Sequence, residues 1–462
     1  MAATSSEAVQ QDDRLGKLPD DILVSILERL DDLRFAVRSS ILSKRWRHLP
    51  GMISDIDLDV WSFVKHDHDE DRRNTGLPQA VESVLAHQSR HSIDRLAVHF
   101  FLTDDSARIL RAVDDAVSSG RRQVTSVALS ILGEKPDVLC DAGDMLRHAA
   151  RLLPSLAAYP SAFAGLADLH LESVRLGESD VPRLLGACGK LERLALQNCD
   201  SGLRTVLRLE HPRLRELDAV FCGCEAVELR SLPRLERVTC TQWMPSKNLP
   251  PLLFGQVPGL EAVTFTNAAM GGDRALGFGE LVGDAAATLR ELVLNFLNGR
   301  VWIQPQEPVP LMQNLMHASF HNIREQCDLT WTMLILKSAP HLKTLGVTVS
   351  NHSCGDTDPE DAEIIRRLFS QEDIIQWQPS YFKHCDLSML VIHGFQVQEK
   401  FMKYIKRLMK VAINLEEMCL LRDECKNCEF YQSQGYPQTD KERDSTRRQI
   451  NDGRFAPIKV TF

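Results

Sequence analysis

A leucine pattern that recurs along most of this chain restricts its fold more than any other feature. The pattern is Leu-x-x-Leu-x-Leu, with other apolar residues allowed at the later positions. Clear copies begin at Leu166, Leu191, Leu260, Leu289, Leu342, Leu387 and Leu415, and weaker copies begin at Leu214, Leu235 and Leu315. We call these the lead leucines. From Leu166 to Leu342 the steps are 25, 23, 21, 25, 29, 26 and 27 residues. Each copy predicts one short strand whose leucines are buried only when neighbouring copies stack, so the sequence predicts a solenoid with a curved parallel sheet.

Steps of this length are the period of leucine-rich repeats. Such repeats favour Asn or Cys eight residues after the lead leucine, and Cys199 and Cys222 occupy that position. We therefore interpret these two cysteines as structural residues inside the turn, and not as ligands or nucleophiles. Other copies have Val174, Trp243 and Leu297 there, so the array is irregular. Upstream, residues 93–102 and 124–132 are predicted to be earlier strands of the same solenoid.

The beginning of the chain has helical spacing instead. Apolar residues recur every four positions at Leu18, Ile22, Ile26 and Leu30, and Leu23 and Leu27 form a second row. Pro19 and the two aspartates after it suit a first helical turn. We predict a second helix over Leu33–Ile41 and a third that starts at Ser43. About 35 residues cannot bury this many large side chains among themselves, so either the rest of the chain or a partner protein covers them.

This stretch, residues 15–49, resembles an F-box. The resemblance rests on Leu-Pro-Asp-Asp-Ile-Leu from Leu18, the central Arg38, and Leu-Ser-Lys-Arg-Trp-Arg at Leu42–Arg47. It covers about a tenth of the chain and has several elements at fixed spacing, which makes it specific. An F-box implies docking to the Skp-type adaptor of cullin-based ubiquitin ligases. The residues assigned to that contact are Leu18, Pro19, Ile22, Leu23, Ile26, Leu30, Leu42, Ser43 and Trp46.

The C-terminal part is predicted to form a strand, a helix and a strand over Leu387–Leu421, with one apolar helical face made of Phe401, Ile405, Leu408 and Met409. It resembles the closing FBD domain found after leucine-rich repeats in many plant F-box proteins, on the strength of His393-Gly394-Phe395 and Asn414-Leu415-Glu416. The resemblance implies a cap on the exposed end of the solenoid. A polar insertion, Ser350–Glu363, and an aromatic run around Trp377, Tyr381 and Phe382 precede it. The polar segment Cys425–Phe462 is predicted to be a surface hairpin or a partly disordered tail.

The predicted fold class is therefore α/β: a three-helix F-box, an irregular leucine-rich-repeat solenoid and a strand-helix-strand cap. The predicted divisions are a disordered N-terminus at 1–14, the F-box at 15–60, a charged linker at 61–90, the solenoid at 91–370, the FBD-like cap at 371–435 and a polar tail at 436–462.

Composition argues against several classes of partner and location. The net charge is −9 and no long Lys/Arg run occurs, which argues against nucleic acid as the main partner. The N-terminus lacks the basic and apolar parts of a secretory signal, and no run of about eighteen apolar residues predicts a membrane span. Twelve cysteines without a signal then indicate reduced thiols, and we expect the cytoplasm, the nucleus or both.

Three candidate sites for chemistry are weak. Cys425 and Cys428 have the spacing of half a zinc site, but no second pair lies downstream. Residues 66–70, His-Asp-His-Asp-Glu, favour a solvated charged loop over a metal site, because consecutive residues of an extended loop point in alternating directions. Gly277, Gly279 and Gly283 lack the spacing and the strand-turn-helix context of a dinucleotide site. The sequence therefore predicts no catalytic residue, metal or cofactor, and gives no reason to expect an enzyme.

Two functions remain from different classes, with a third that is weaker. The first is an adaptor whose F-box docks on a ligase, through a Skp-type adaptor and a cullin, while the repeat sheet holds a protein to be ubiquitinated. The second is a receptor that binds a small molecule on the concave face, and the third is an F-box scaffold outside the ligase. Alternate strand positions there are mixed and small-polar, with no basic or aromatic pocket for an anionic ligand, which favours a protein target. The residues predicted to bind it are Arg193, Gln197, Glu216, Asp218 and Arg237. The sequence does not identify this target.

Overall fold

Strands begin two residues after each lead leucine from Leu191 to Leu415 in a computed structural model of the protein. The structure describes residues 15, 17–30, 39, 43, 45–46, 48–63, 72–86, 91–120, 123–202, 205–243, 246, 248–267, 276–297, 301, 303–304, 309–325, 327–350, 382–422, 435–452 and 457–462. The chain forms two compact units. Unit 1 contains Met1–Ser173 with Ala187–Leu191, and unit 2 contains Val174–Gly186 with Glu192–Phe462.

Unit 1 combines the N-terminal helical segment with parallel strands and the helices between them. Its helices are α1 (Asp20–Leu27), α2 (Leu77–Ala86), α3 (Ser106–Ser118), α4 (Ala142–Ala158) and α5 (Pro160–Ala164), and its strands are β1 (Asp55–Asp59), β2 (Ile93–Phe101), β3 (Val124–Leu132) and β4 (Leu166–Glu172). Short 3₁₀ helices lie at Leu49–Met52, Val60–Ser62 and Asp137–Leu139. Each strand pairs in parallel with the next one along the chain, so sequence order is also spatial order.

Unit 2 also has a parallel main sheet, with one strand after each lead leucine from Leu191 to Leu415 and a last strand near the C-terminus. Its main-sheet strands are β5 (Arg193–Gln197), β7 (Glu216–Val220), β9 (Arg237–Thr241), β11 (Ala262–Asn267), β13 (Glu291–Phe296), β15 (His317–Arg324), β16 (Thr344–Ser350), β17 (Met389–His393), β18 (Glu417–Leu421) and β19 (Lys459–Thr461). A second sheet contains β6 (Val206–Glu210), β8 (Ala226–Ser231) and β10 (Leu252–Gln256), and β12 (Leu276–Gly277) pairs with β14 (Ile303–Gln304). The helices are α6 (Asp180–Ala187), α7 (Phe278–Val282), α8 (Met333–Ser338), α9 (Glu399–Val411) and α10 (Asp440–Asn451), with 3₁₀ helices at Gly283–Ala287 and Leu329–Thr332.

The lead leucines and the inward strand positions form the core of each unit. Leu191, Leu260 and Leu342 are fully buried, and so are inward residues such as Leu292 and Leu345. The alternation of buried and partly exposed residues along each strand is that of a sheet with one packed face. The predicted α/β fold and its parallel leucine-rich-repeat sheet are confirmed, and the two earlier strands lie at β2 and β3, as predicted.

The second sheet of unit 2 was not predicted. Its strands pair in parallel in the order β10-β8-β6, each between two strands of the main sheet along the chain. The leucine pattern does not mark them because they follow the lead leucines by a variable number of residues. Only the three-dimensional stacking of the copies aligns them.

The boundaries of the N-terminal part differ from the prediction. Strand β1 lies inside the range predicted for the F-box, and α2 lies inside the predicted linker. Strand β1 has the sequence Asp-Ile-Asp-Leu-Asp, and its two apolar residues are too few to stand out as a repeat. The predicted third helix from Ser43 is wrong for the described residues, which form turns at 45–46 and a 3₁₀ helix at Leu49–Met52. Of the predicted second helix, only Ser39 lies within the described residues, in helical conformation.

The C-terminal prediction is confirmed in part. The predicted strand, helix and strand are β17, α9 and β18, and Phe401, Ile405 and Leu408 are buried as expected, while Met409 is half-buried. The described residues of the predicted polar tail, 436–452 and 457–462, contain α10 and β19 and form neither a hairpin nor a disordered segment, and β19 pairs in parallel with β18. The few apolar residues of this segment are well placed: Ile450, Ile458 and Val460 are buried. A capping box of Thr439 and Glu442 starts α10.

Several predictions lie outside the described residues. They concern the N-terminal 1–14, the His-Asp-rich loop 66–70, most of the insertion at 350–363, Trp377, Tyr381 and the Cys425/Cys428 pair. Among the described residues, no helix is both long enough and apolar enough to cross a lipid bilayer.

Candidate interaction surfaces

Helix α1 has two apolar sides, and only one of them is used within unit 1. Leu23, Val24 and Leu27 are buried. Ile22 and Ile26, one turn apart on the other side, are 44% and 38% exposed. Leu30 follows this outer row at 39% exposure, and Leu15 precedes it at 52%. We call Leu15, Ile22, Ile26 and Leu30 the outer row of α1.

Polar contacts hold α1 in place and leave the outer row uncovered. The guanidinium of Arg45 donates to Asp20 Oδ1 at 2.7 Å and to the carbonyl of Leu18. The hydrogen bond from Arg45 also lowers the pKa of Asp20 below its ordinary range. At the other end of the helix, Glu28 Oε1 accepts from the backbone N–H and the hydroxyl of Ser54, directly before β1. The helix is therefore fixed at both ends.

The structure divides the residues that the F-box resemblance assigned to adaptor binding. Pro19 and Ser43 are exposed and Leu18 is half-buried, whereas Leu42 lies outside the described residues. Leu23 and Trp46 are buried within unit 1, at 0% and 8% exposure, so their assignment to the contact surface is corrected. Their apolar side chains support the helix from the inside. Sequence periodicity alone does not say which of two adjacent apolar rows faces inward.

The main sheet of unit 2 turns one face away from the core, and parallel register sorts its residues into rows. The start row is Arg193, Glu216, Arg237, Ala262 and Glu291, the middle row is Ala195, Asp218, Thr239, Thr264 and Val293, and the end row is Gln197, Val220, Thr241, Thr266 and Asn295. We call this side the outward face. All residues of these three rows are partly or fully exposed except Ala262, which is 7% exposed. The structure thus brings Arg193, Gln197, Glu216, Asp218 and Arg237 onto one face.

Charges in the start row compensate one another across strands. Arg237 Nη1 lies 3.4 Å from Glu291 Oε2, although β11 separates their strands. The residue between them in register is Ala262, whose methyl group leaves room for the long Arg237 side chain to cross. Both side chains are largely exposed, so this pair contributes little to stability.

A recurring backbone feature lies just beyond the strands, and it was not predicted. The residues that follow their lead leucines by seven positions and have φ between 49° and 58° are Ser173, Asn198, Phe221, Gln242 and Asn322, and Gly394 has φ 74° at the same position. This left-handed conformation suits Asn and Gly and is costly for bulky side chains. A Ser, Asn, Gln or Gly that recurs seven residues after the lead leucine was the sequence signal that could have predicted this conformation. Phe221 is the exception in this set, and it is 48% exposed.

Unit 1 contains a buried acidic group at the ends of its strands. Glu172, the last residue of β4, has a 7% exposed side chain and lies 2.8 Å from Arg72 Nη1. The Arg72 guanidinium also lies over the rings of Trp61 and Phe101. Burial and a hydrogen bond with Asp137 outweigh Arg72 and raise the pKa of Glu172 to about 7.

The repeat cysteines are structural, as predicted. Cys199 and Cys222 are buried, and Cys222 Sγ donates weakly to the carbonyl of Leu196 at 3.6 Å. Burial raises the pKa of Cys222 well above its ordinary value and that of Cys224 to about 11, so both are protonated thiols at neutral pH. Within the described ranges no group of three or more His, Cys, Asp or Glu side chains is arranged to hold a metal ion.

The fold and the helical module define a class: a parallel leucine-rich-repeat domain preceded by a short helical module with an exposed apolar row. Residues 15–52 match the F-box domain family. Residues 145–272 match the family described as FBD-associated F-box protein At5g56370, LRR repeats. The chain therefore carries an F-box followed by leucine-rich repeats of the FBD-associated kind.

The chain is similar to F-box proteins of Arabidopsis thaliana, two of which are named as leucine-rich-repeat proteins. F-box/LRR-repeat protein At4g14103 is 23% identical over 370 residues, which cover 74% of this chain and 94% of that protein. Putative F-box protein At3g58860 is 23% identical over 434 residues, or 88% of each chain. F-box/FBD/LRR-repeat protein At5g56420 is 28% identical over 244 residues, or 49% of this chain and 54% of that protein. The specific FBD character of the C-terminal part stays a prediction.

Proposed function

We propose that this chain is the substrate-recognition subunit of a ubiquitin ligase of the Skp–cullin–F-box type. F-box domains bind Skp-type adaptors, and through such an adaptor the chain joins a cullin. The outward face of unit 2 holds the protein to be ubiquitinated. One observation carries the proposal: in the segment that matches the F-box, α1 leaves Ile22, Ile26 and Leu30 exposed while its other side is buried. A partner is needed to cover them.

In this role the chain works by proximity and contributes no catalytic group. The ubiquitin transfer takes place on partner subunits, and binding both the adaptor and the target raises the local concentration of target lysines near the reactive thioester. The chain acts inside the cell, in the cytoplasm or nucleus. The described cysteines are free thiols, which supports a reducing compartment.

A protein target is favoured over a small-molecule ligand. Two cavities of unit 2 have volumes of about 10 and 30 Å³, which is room for one or two water molecules. The outward face is a broad surface of small and polar side chains, which supports contact with another protein.

A binding measurement with a purified Skp-type adaptor tests the proposal. The variant replaces Ile22, Ile26 and Leu30 by Ala. Each side chain is roughly 40% exposed, and burying a whole side chain contributes about 1.5–3 kcal/mol, so each loses about 0.6–1.2 kcal/mol when the adaptor no longer covers it. Together the three changes should raise the Kd about 20- to 400-fold. Replacing Leu18 and Pro19 by Ala should also weaken binding, by about 2 kcal/mol or more.

The matched control replaces Val138 and Leu139 by Ala. These residues are also exposed apolar side chains of unit 1, at 91% and 56%, but they lie on the 3₁₀ helix Asp137–Leu139. The control should bind the adaptor with the wild-type Kd. Wild-type binding by the triple variant would contradict the assignment of the outer row.

A further inference from the structure

The middle row of the outward face contains one charge. Across the main-sheet strands of unit 2 it reads Ala195, Asp218, Thr239, Thr264, Val293, Ser319, Gly346, Val391, Cys419 and Thr461. Every other member is small or uncharged. Asp218 is exposed, and among the described residues it forms no hydrogen bond or ion pair. Its neighbours in register, Ala195 and Thr239, are too short to shield the carboxylate from an approaching cation.

The nearest arginine in the next strand does not neutralise Asp218. Arg237 belongs to the start row and pairs with Glu291 at 3.4 Å, on the side away from Asp218. The outward neighbour of Asp218 on β7 is Glu216, a second acid. Glu216 is in register with Arg193 and Arg237, whereas Asp218 is in register with Ala195 and Thr239, so the group complementary to the open Asp218 carboxylate is a Lys or Arg side chain.

Phe221 lies three residues beyond Asp218, immediately after β7. Strand geometry places the two α-carbons about 10 Å apart. The backbone N–H of Phe221 donates to the carbonyl of Thr241 at 2.9 Å, which fixes this residue to the next repeat. Its ring is 48% exposed, and its left-handed conformation is one that the other repeats with this feature give to Ser, Asn, Gln or Gly. Neither local conformation nor core packing favours Phe here, whereas contact with a partner does.

We infer that Asp218 and Phe221 form a two-point docking site for a segment of the target protein that presents a Lys or Arg about 10 Å from a bulky apolar side chain. This inference rests on the proposed function and specifies the kind of target segment. The basic side chain pairs with Asp218 above the small middle row, and the apolar side chain packs on the Phe221 ring. Aromatic anchors of this kind dominate the energetics of protein interfaces.

The test is a selection of random short peptides, displayed in many copies, on the purified full-length chain in complex with its Skp-type adaptor. Wild type should enrich peptides with a Lys or Arg two to four residues from a Leu, Phe or Trp. The Asp218→Asn variant should lose the basic preference and bind a selected peptide about two- to fivefold more weakly, as for an exposed ion pair. The Phe221→Asn variant should lose the apolar preference and bind at least about tenfold more weakly.

Two measurements separate recognition from folding. Thermal unfolding of Phe221→Asn should occur at the wild-type temperature or higher, because Asn tolerates the left-handed conformation. Thr264→Ala in the middle row and Leu297→Asn, another exposed apolar residue at a strand end, are the matched controls and should select the same peptides as wild type. Selection of acidic peptides, no enrichment by wild type, or an unchanged selection by both variants would overturn the inference. Adaptor binding, measured on the same proteins, tests the proposed function separately.

Discussion

Replacing Glu172 by Gln should change how the stability of unit 1 depends on pH. Folding raises the pKa of Glu172 from 4.5 to about 7, because the carboxyl group is buried and shares a hydrogen bond with Asp137. A raised acid pKa means that the folded chain holds the proton more tightly than the unfolded chain does. The protonated Glu172 carboxyl therefore contributes fully to the free energy of unfolding below pH 4.5, and this contribution is lost as the pH rises to about 7.

The size of the effect follows from the pKa difference. At about 1.4 kcal/mol per unit, ionising Glu172 in the folded chain costs on the order of 3 kcal/mol at about pH 8. A glutamine at this position would keep the shape of the protonated side chain and would have no proton to lose. As the pH rises from about 5 to about 8, the free energy of unfolding of the variant should therefore increase by roughly 2–3 kcal/mol relative to that of wild type.

The assay is denaturant unfolding of wild type and Glu172→Gln at several pH values between these limits. Tryptophan fluorescence is a suitable signal, because Trp61 packs edge-on against Phe101 beside the Arg72–Glu172 pair. Glu178→Gln is the control, because Glu178 is 75% exposed at its ion pair with Arg208 and should follow the wild-type profile. Parallel profiles for Glu172→Gln and wild type would refute the reasoning. A variant that loses stability towards high pH would show that Arg72 outweighs burial.

Three further predictions test the fold. Leu292→Ala should destabilise the protein by about 2–5 kcal/mol because the side chain is fully buried, whereas Thr264→Ala should stay within about 0.5 kcal/mol, and equal effects would contradict the strand register. Removing residues 435–462 should lower the denaturation midpoint, because α10 and β19 cover the edge of β18; an unchanged midpoint would mean that they do not belong to the folded unit. In the native protein, iodoacetamide should modify the exposed Cys385 and leave the buried Cys222 until unfolding, as measured by mass spectrometry; equal rates would refute the structural role of Cys222.

The repeat strands could be predicted because their signal is local. A lead leucine and the alternation after it specify a strand with one buried face wherever copies stack. The register of β5, β7 and β9 follows from the same pattern, so the sequence alone is enough to place Arg193, Glu216 and Arg237 on one face. The F-box was recognisable for a similar reason, since its residues lie at fixed spacing within one short stretch.

Other features depended on contacts between distant residues. Two apolar rows on α1 look equivalent in sequence, and only packing within unit 1 decided that Leu23 is inside and Ile22 is outside. The C-terminal α10 and β19 contain few apolar residues, and their stability comes from the edge of β18, which no local pattern reports.

Only the tertiary structure decided the chemical environment of individual side chains. Glu172 is an ordinary acid in sequence, and it becomes a group that titrates near neutral pH because folding buries it beside Asp137. Asp218 is one of many acids, and it becomes the single charge of its row because the parallel register aligns it with Ala195 and Thr239. Sequence by itself determined the repeating strands and the helical spacing, since both arise from the period of apolar residues. Tertiary structure decided the environment of each polar group, since burial and neighbours are set by residues far apart in the chain.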